Sequence, residues 1–197
     1  MISRERTLSW DWHPGKVPDN VIVDDTAYIE TTYSFLLFRS QERSAVTYGR
    51  GSATYRGTMF DLGPHGKVRL GQYVLVHGAR FICDDRIDIG DYCLISWGVL
   101  FMDSYRLPLD PARRQEELRK VPSRNPRVLD SADPPRRIRI DDNVWVGFGA
   151  CVLPGVTIGE GSIVGARSVV IDDVPPYSIA VGNPARIVRT LDQEERE

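Results

Sequence analysis

An aliphatic residue recurs every six positions through the C-terminal third of the chain: Ile140, Val146, Val152, Ile158, Val164, Val170. Four positions after each stands a small or β-branched residue: Val144, Ala150, Val156, Ser162, Ser168, Val174. An amphipathic helix needs a period of about 3.6 and an alternating strand a period of about 2, so neither explains this register. A six-residue period fits a solenoid in which each hexad is a short strand and a turn. The same pattern returns upstream in interrupted sets. These are Ile89, Ile95 and Phe101, then Leu70, Val76 and Ile82 with one extra residue before Ile89, then Tyr48, Thr54 and Phe60, and at the start Val23, Ile29 and Phe35. Three hexads make one triangular coil, so the chain holds about six coils, each burying its neighbour's open face.

The expected fold class is all-β: a parallel β-helix of about six coils, with a long projecting loop and a short C-terminal tail. Residues 1–20 form an irregular arm carrying Trp10, Trp12 and His13. Residues 21–189 form the repeat domain, and 190–197 the tail. Short excursions are expected at 39–47 and 64–69. The long one, 107–137, holds six of the chain's 13 prolines and eight basic against five acidic residues. Within it "DPARRQEELRKV" reads as a short helix, with Asp110 as N-cap and Pro111 at the first helical position. A loop of that length in a compact repeat domain is a candidate functional element.

Composition narrows the function. A charged fraction of 26% with net charge -2 speaks against bulk nucleic-acid binding. No apolar run approaches the roughly 20 residues of a membrane span. The charged start "MISRERTLSWDWHPG" lacks a signal core, so a cytoplasmic protein is expected. Cys83, Cys93 and Cys151 fit neither a disulfide framework nor a clustered zinc site, and they read as reduced structural thiols. Cys93 occupies an inward small-residue slot, which suits packing better than nucleophilic chemistry.

Three stretches resemble the hexapeptide-repeat acyltransferases, in the branch of maltose, galactoside and nodulation acetyltransferases. They are "IRIDDNVWVGFGACVLPGVTIGEGSIVGARSVVIDDVPPYSIAVGNPARIVR" (138–189), "IDIGDYCLISWGVLFMDSYRLPLDP" (87–111) and "FICDDRIDIG" (81–90). The resemblance implies left-handed winding, a homotrimer, and sites in clefts between subunits. It also implies an acyl-CoA donor, usually acetyl-CoA, no metal, and a small hydroxyl- or amine-bearing acceptor, often a sugar. By the same resemblance Trp145 lines the cleft. Phe148 and Ala166, with neighbouring Gly147, Gly165 and Arg167, meet the pantetheine arm. Pro184, Arg186 and Arg189 of "VGNPARIVR" hold the phosphates, for which arginine forks are suited.

The acceptor half departs from the branch. The branch's catalytic histidine falls on Arg106, or with one shift on Leu107, and neither can serve as a general base near neutral pH. Nearby stand Asp103 and Tyr105. His77 falls where the branch commonly has an active-site asparagine, in one column with Ser96, Gly147 and Gly165. Two readings follow. In the first, an acyltransferase uses a relocated base, His77, with Arg106 steadying the oxyanion. In the second, a trimeric binding or assembly protein has lost the chemistry. A γ-class carbonic anhydrase would need three metal histidines, and the spacing of His13, His65 and His77 does not supply them.

Overall fold

The computed structural model describes residues 5–126, 129 and 133–192. Each hexad is a strand of two to four residues followed by a turn. The coils wind left-handed and stack into a prism with three parallel faces. The first face is built from Val21–Val23, Val46–Tyr48, Lys67–Leu70, Arg86–Ile89, Ile138–Ile140 and Thr157–Ile158. The second runs Tyr28–Ile29, Ala53–Thr54, Leu75–Val76, Leu94–Ile95, Trp145–Val146, Ile163–Val164 and Ser178–Gly182. The third runs Met59–Leu62, Arg80–Cys83, Leu100–Met102, Cys151–Val152 and Val169–Val170. In the first coil a 3-10 turn, Thr32–Phe35, takes the third face's place.

The period determines the packing. Ile89, Ile95, Ile140, Val146, Val152, Ile158 and Val164 are all buried and stack in register from coil to coil. The weaker hexads are accommodated too. Tyr48 and Thr54 are buried and satisfy each other's hydroxyls at 3.0 Å. The third face's interior is a ladder of phenylalanines. Phe35, Phe60, Phe81 and Phe101 lie nearly parallel, with centroids 5.4, 5.2 and 5.2 Å apart.

That ladder corrects one expectation. Phe81, not Ile82, points inward, and Phe81 pairs with Phe101 in register. The turn His77–Gly78 has one residue fewer than the equivalent Ser96–Trp97–Gly98, so the inward slot arrives after five residues instead of six. The excursions are also shorter than expected, because Val46–Tyr48 and Lys67–Leu70 are strands. In the first coil Val21 is buried and Val23 only partly so.

Both ends are closed. The arm lays Leu8 and Val17 into the core, and the Arg6 guanidinium donates to the carbonyls of Val17, Pro18 and Val21. Trp10 Nε1 donates to the Ile29 carbonyl at 3.1 Å, covering the open rim of the first coil. Asp11 pins the arm by accepting from the Thr32 backbone and hydroxyl. Burial raises the Asp11 carboxyl, but these bonds win and hold it at about 2. Capping an exposed strand edge in this way guards against edge-to-edge association. At the other end Ala185–Thr190 folds back antiparallel on Ser178–Gly182, so the expected tail begins one residue later than 190, and residues 193–197 lie outside the described residues. The helix Pro111–Lys120 forms with Asp110 as its cap and buries none of its residues, so the long loop projects from the prism. Among the described residues no helix is long and apolar enough to cross a membrane.

The register makes a direct test. Phe81→Ala should cost about 3–5 kcal/mol in denaturant unfolding, the usual loss for emptying a packed phenylalanine site. Ile82→Ala, on the outer side of the same strand, should cost less than half of that. Equal costs would mean that the inward slot has been assigned to the wrong residue.

Candidate functional site

Two edges of the prism carry the residues of interest. The loop edge joins the third face to the first, and the long loop leaves from it. Here Asp103 is fully buried. Its carboxylate accepts from the N–H groups of Asp84, Asp85 and Arg86 at 2.8–3.0 Å and from the Cys83 thiol at 3.3 Å. Burial nonetheless raises its pKa above the usual carboxylate range. A carboxylate so enclosed ties one coil to the next. Its bonds are all to groups of the chain itself.

Arg106 is likewise committed. Its Nη1 donates to Asp61 Oδ1 at 2.6 Å and its Nη2 to the Asp61 carbonyl at 2.7 Å, while Nε meets both Asp84 oxygens at 3.1–3.2 Å. Arg80 joins the cluster through Asp61, and Ser104 Oγ donates to Asp84. Burial pushes Asp61 up, but the hydrogen bonds and charges of Arg106 and Arg80 outweigh it and hold it low. All three guanidinium nitrogens are in use, so Arg106 fixes the root of the loop and is not poised over a reacting carbonyl. Tyr105 and Leu107, which flank it, line the loop cleft.

The other edge joins the second face to the third. Main-chain pairing places His77, Ser96, Gly147 and Gly165 in one column, each N–H donating to the next coil at 2.8–3.0 Å. The His77 ring lies between Tyr55 and Trp97, at centroid distances of 5.0 and 4.7 Å. Among the described residues its ring nitrogens have no hydrogen-bond partner. Trp97 is 64% exposed, and its place over His77 follows from the shortened turn below it. Next to this pair, Trp145 Nε1 donates to Ser96 Oγ at 3.2 Å. Phe148 is exposed and receives the Arg167 guanidinium over its ring at 5.7 Å.

Gly147 is required by the coil spacing itself, since a Cβ there would come within 2.7 Å of the Ala166 nitrogen. The main-chain N–H groups of Trp97, Phe148 and Ala166, the exposed second residues of successive turns, find no acceptor among the described residues. Beyond them, the hairpin after Gly182 presents Pro184 at its turn and Arg186 and Arg189 on its exposed return strand. Arg186 Nη1 donates to the Ala185 carbonyl at 2.9 Å and makes a longer contact with Asp172, at 3.4 Å.

Sequence reasoning located His77 and the glycine column, but not the partners of Arg106 and not the aromatic sandwich. Within one chain the edge bearing His77 and the edge bearing Tyr105 stand at opposite ends of the third-face strands. Four residues at strand rise put roughly 13 Å between them. Thiol chemistry finds no support: burial pushes Cys93 up to about 12 and raises Cys83 and Cys151 as well. His13 sits in the arm against Thr32 and His65 pairs with Glu42. Among the described residues no three His, Cys, Asp or Glu side chains converge to hold a metal.

The profile of the bacterial transferase hexapeptide (six repeats) family matches residues 137–172. A hexapeptide-repeat acetyltransferase of Vibrio cholerae, solved with acetyl-CoA, shares 30% identity over 74% of this chain and 71% of its own, with a TM-score of 0.58. The chain belongs to the hexapeptide-repeat transferase family. A putative acetyltransferase of Schizosaccharomyces pombe is 58% identical over 57 residues, which are 29% of this chain and 28% of that protein. A chloramphenicol acetyltransferase of Escherichia coli is 33% identical over 129 residues, 59% and 60% of the two chains. The chain thus spans less than two thirds of these curated relatives.

The charge cluster at the loop root is open to measurement. Arg106→Ala leaves Asp84 without its guanidinium and Asp61 with Arg80 alone, and should lose about 3–5 kcal/mol at neutral pH. Asp61 is held low, so its contribution is present above the ordinary carboxylate pKa of about 4 and is lost as pH falls below it. The gap between wild type and variant should therefore narrow in acid. A gap that stayed constant down to the acid limit would show that the ion pairs contribute nothing.

Proposed function

We propose that the protein transfers an acyl group, acetyl in the first instance, from acyl-CoA to a hydroxyl or amine of a small acceptor, and that it works as a homotrimer with sites between subunits. The observation that carries this reading is the column at the second edge. His77 stands roughly three strand spacings, about 14 Å, from Gly165, with Ser96 and Gly147 between. That is the span of a pantetheine arm. The unused N–H groups of Phe148 and Ala166 are donors for its amide carbonyls, since main-chain polar groups need partners. Trp145 and Phe148 give the arm apolar walls, and Arg167 closes the side. Arg186 and Arg189, beside Pro184, offer planar forks to the phosphates.

His77 acts as the general base. It takes the proton of the acceptor's hydroxyl or amine as that group attacks the thioester carbonyl. The tetrahedral intermediate then collapses, the C–S bond breaks, and the CoA thiolate leaves and is protonated. The stacked ring is held by Tyr55 and Trp97, which replaces the carboxylate that usually orients such a base. The loop edge and the second edge of one chain are too far apart to share a small acceptor. A composite pocket needs a second copy, which supports the inter-subunit site. The non-catalytic alternative draws on one observation, the conversion of the loop corner into an ion-pair anchor at Arg106.

Calorimetry with acetyl-CoA and a thiol-release assay over alcohol and amine acceptors separate the two readings. His77→Asn should lower turnover by about 10²–10⁴-fold with CoA affinity nearly intact. Arg186→Ala and Arg189→Ala should each weaken CoA more than dephospho-CoA. Binding of acyl-CoA without turnover on any acceptor would favour the non-catalytic protein, and full turnover by His77→Asn would remove His77 from the mechanism.

A further inference from the structure

We infer that the cleft beneath the projecting loop recognises an anionic group, a carboxylate or a phosphate, on a small molecule with an apolar body, and that Arg136 reads it. Calling that molecule the acceptor rests on the acyl-transfer reading; the anion site itself does not. The cleft has a volume of about 520 Å³ and lies between the loop root and Pro154 of the next coil. That falls within the roughly 300–1,000 Å³ typical of small-molecule sites. Leu107, Leu109, Pro134 and Pro154 give it apolar walls, and Tyr105 brings a ring with a hydroxyl.

The charges lining the cleft can be accounted for one by one. Asp103 is spent on main-chain N–H groups, and Arg106 on Asp61 and Asp84. Asp110 caps the helix through the Arg113 N–H at 2.8 Å. Asp133 accepts from the Leu109 N–H at 3.3 Å and faces Arg113 at 3.9 Å. Arg136 is the remaining charged side chain of the lining, and among the described residues it has no acidic partner.

Its placement is fixed by the fold. The Arg136 N–H donates to the Asp103 carbonyl at 2.8 Å, and its own carbonyl accepts from the Gly155 N–H at 3.0 Å. The side chain lies across Gly155, where a Cβ would meet Arg136 Cβ at 3.3 Å and Cζ at 3.5 Å. Gly155 therefore leaves room for the Arg136 side chain to lie across it. An exposed guanidinium on a pinned backbone, beside apolar walls and with neighbouring charges already satisfied, suits a planar carboxylate or a phosphate. A neutral sugar would leave that fork without a counter-charge.

The probes are benzoate, phenyl phosphate and benzyl alcohol, titrated calorimetrically into the full chain with CoA present in excess so that other phosphate sites are filled. Wild type should bind at least one of the two anions about tenfold or more tighter than the alcohol, the ratio expected of a charged hydrogen bond. Benzoate and phenyl phosphate separate the carboxylate from the phosphate source. Arg136→Gln should abolish the preference and leave CoA affinity unchanged, while Arg136→Lys should retain part of it. Leu109→Glu, at an exposed wall position, should suppress anion binding independently. Equal binding of anions and alcohol by wild type, no binding of any probe, or a preference that survives Arg136→Gln would overturn the inference. Failure of acyl transfer would appear separately, as absent thiol release in a protein that still prefers the anion.

Discussion

Coil-on-coil hydrogen bonding in strict register is the constraint on which everything else depends. Each N–H of a strand finds its acceptor one coil away, so a residue's neighbours are fixed by its place in the hexad. Inward slots are then filled by stacked aliphatics and by the four-rung phenylalanine ladder. Outward slots at the edges become columns in which distant residues stand about one strand spacing apart. The prism is rigid because its register cannot slip without turning buried residues outward. The arm at one end and the hairpin at the other protect rims that would otherwise invite pairing.

That rigidity lets the edges carry different side chains without loss of the scaffold. At the loop edge Arg106, Asp61 and Asp84 form a largely enclosed electrostatic anchor, with Arg80 reaching Asp61 from the exposed side. It holds the root of a loop whose described residues give the cleft its apolar walls and Arg136. At the second edge the turn His77–Gly78 is one residue short, and Trp97 of the next coil stacks on His77. The imidazole is thereby presented from a stacked position in the column that also carries Gly147 and Gly165. The two edges, at opposite ends of the third-face strands, carry different groups.

Much of this was legible in the chain because the hexad leaves one inward slot per turn. Ile140 through Val170 could be placed from their spacing alone, and so could the helix cap at Asp110. Ile82 was misplaced because a deletion within a turn is silent in an aliphatic pattern: Phe81 and Ile82 are both apolar, and only the ladder decides between them. The role of Arg106 was not legible, since its carboxylate partners lie 45 and 22 residues away in sequence, on and just after strands of neighbouring coils. The burial of Asp103 was hidden for the same reason, because its donors are main-chain groups of a neighbouring turn. The sandwich of Tyr55, His77 and Trp97 needed the shortened turn to be known first.

The central claim is that the edge bearing His77 is where a thioester is opened. A crystal structure of the protein with CoA tests it most directly. The account predicts the pantetheine arm along the column from Gly165 to Ser96, with the sulfur atom ending beside the His77 ring. A CoA thiol seated away from this edge, with His77 facing only solvent, would contradict it.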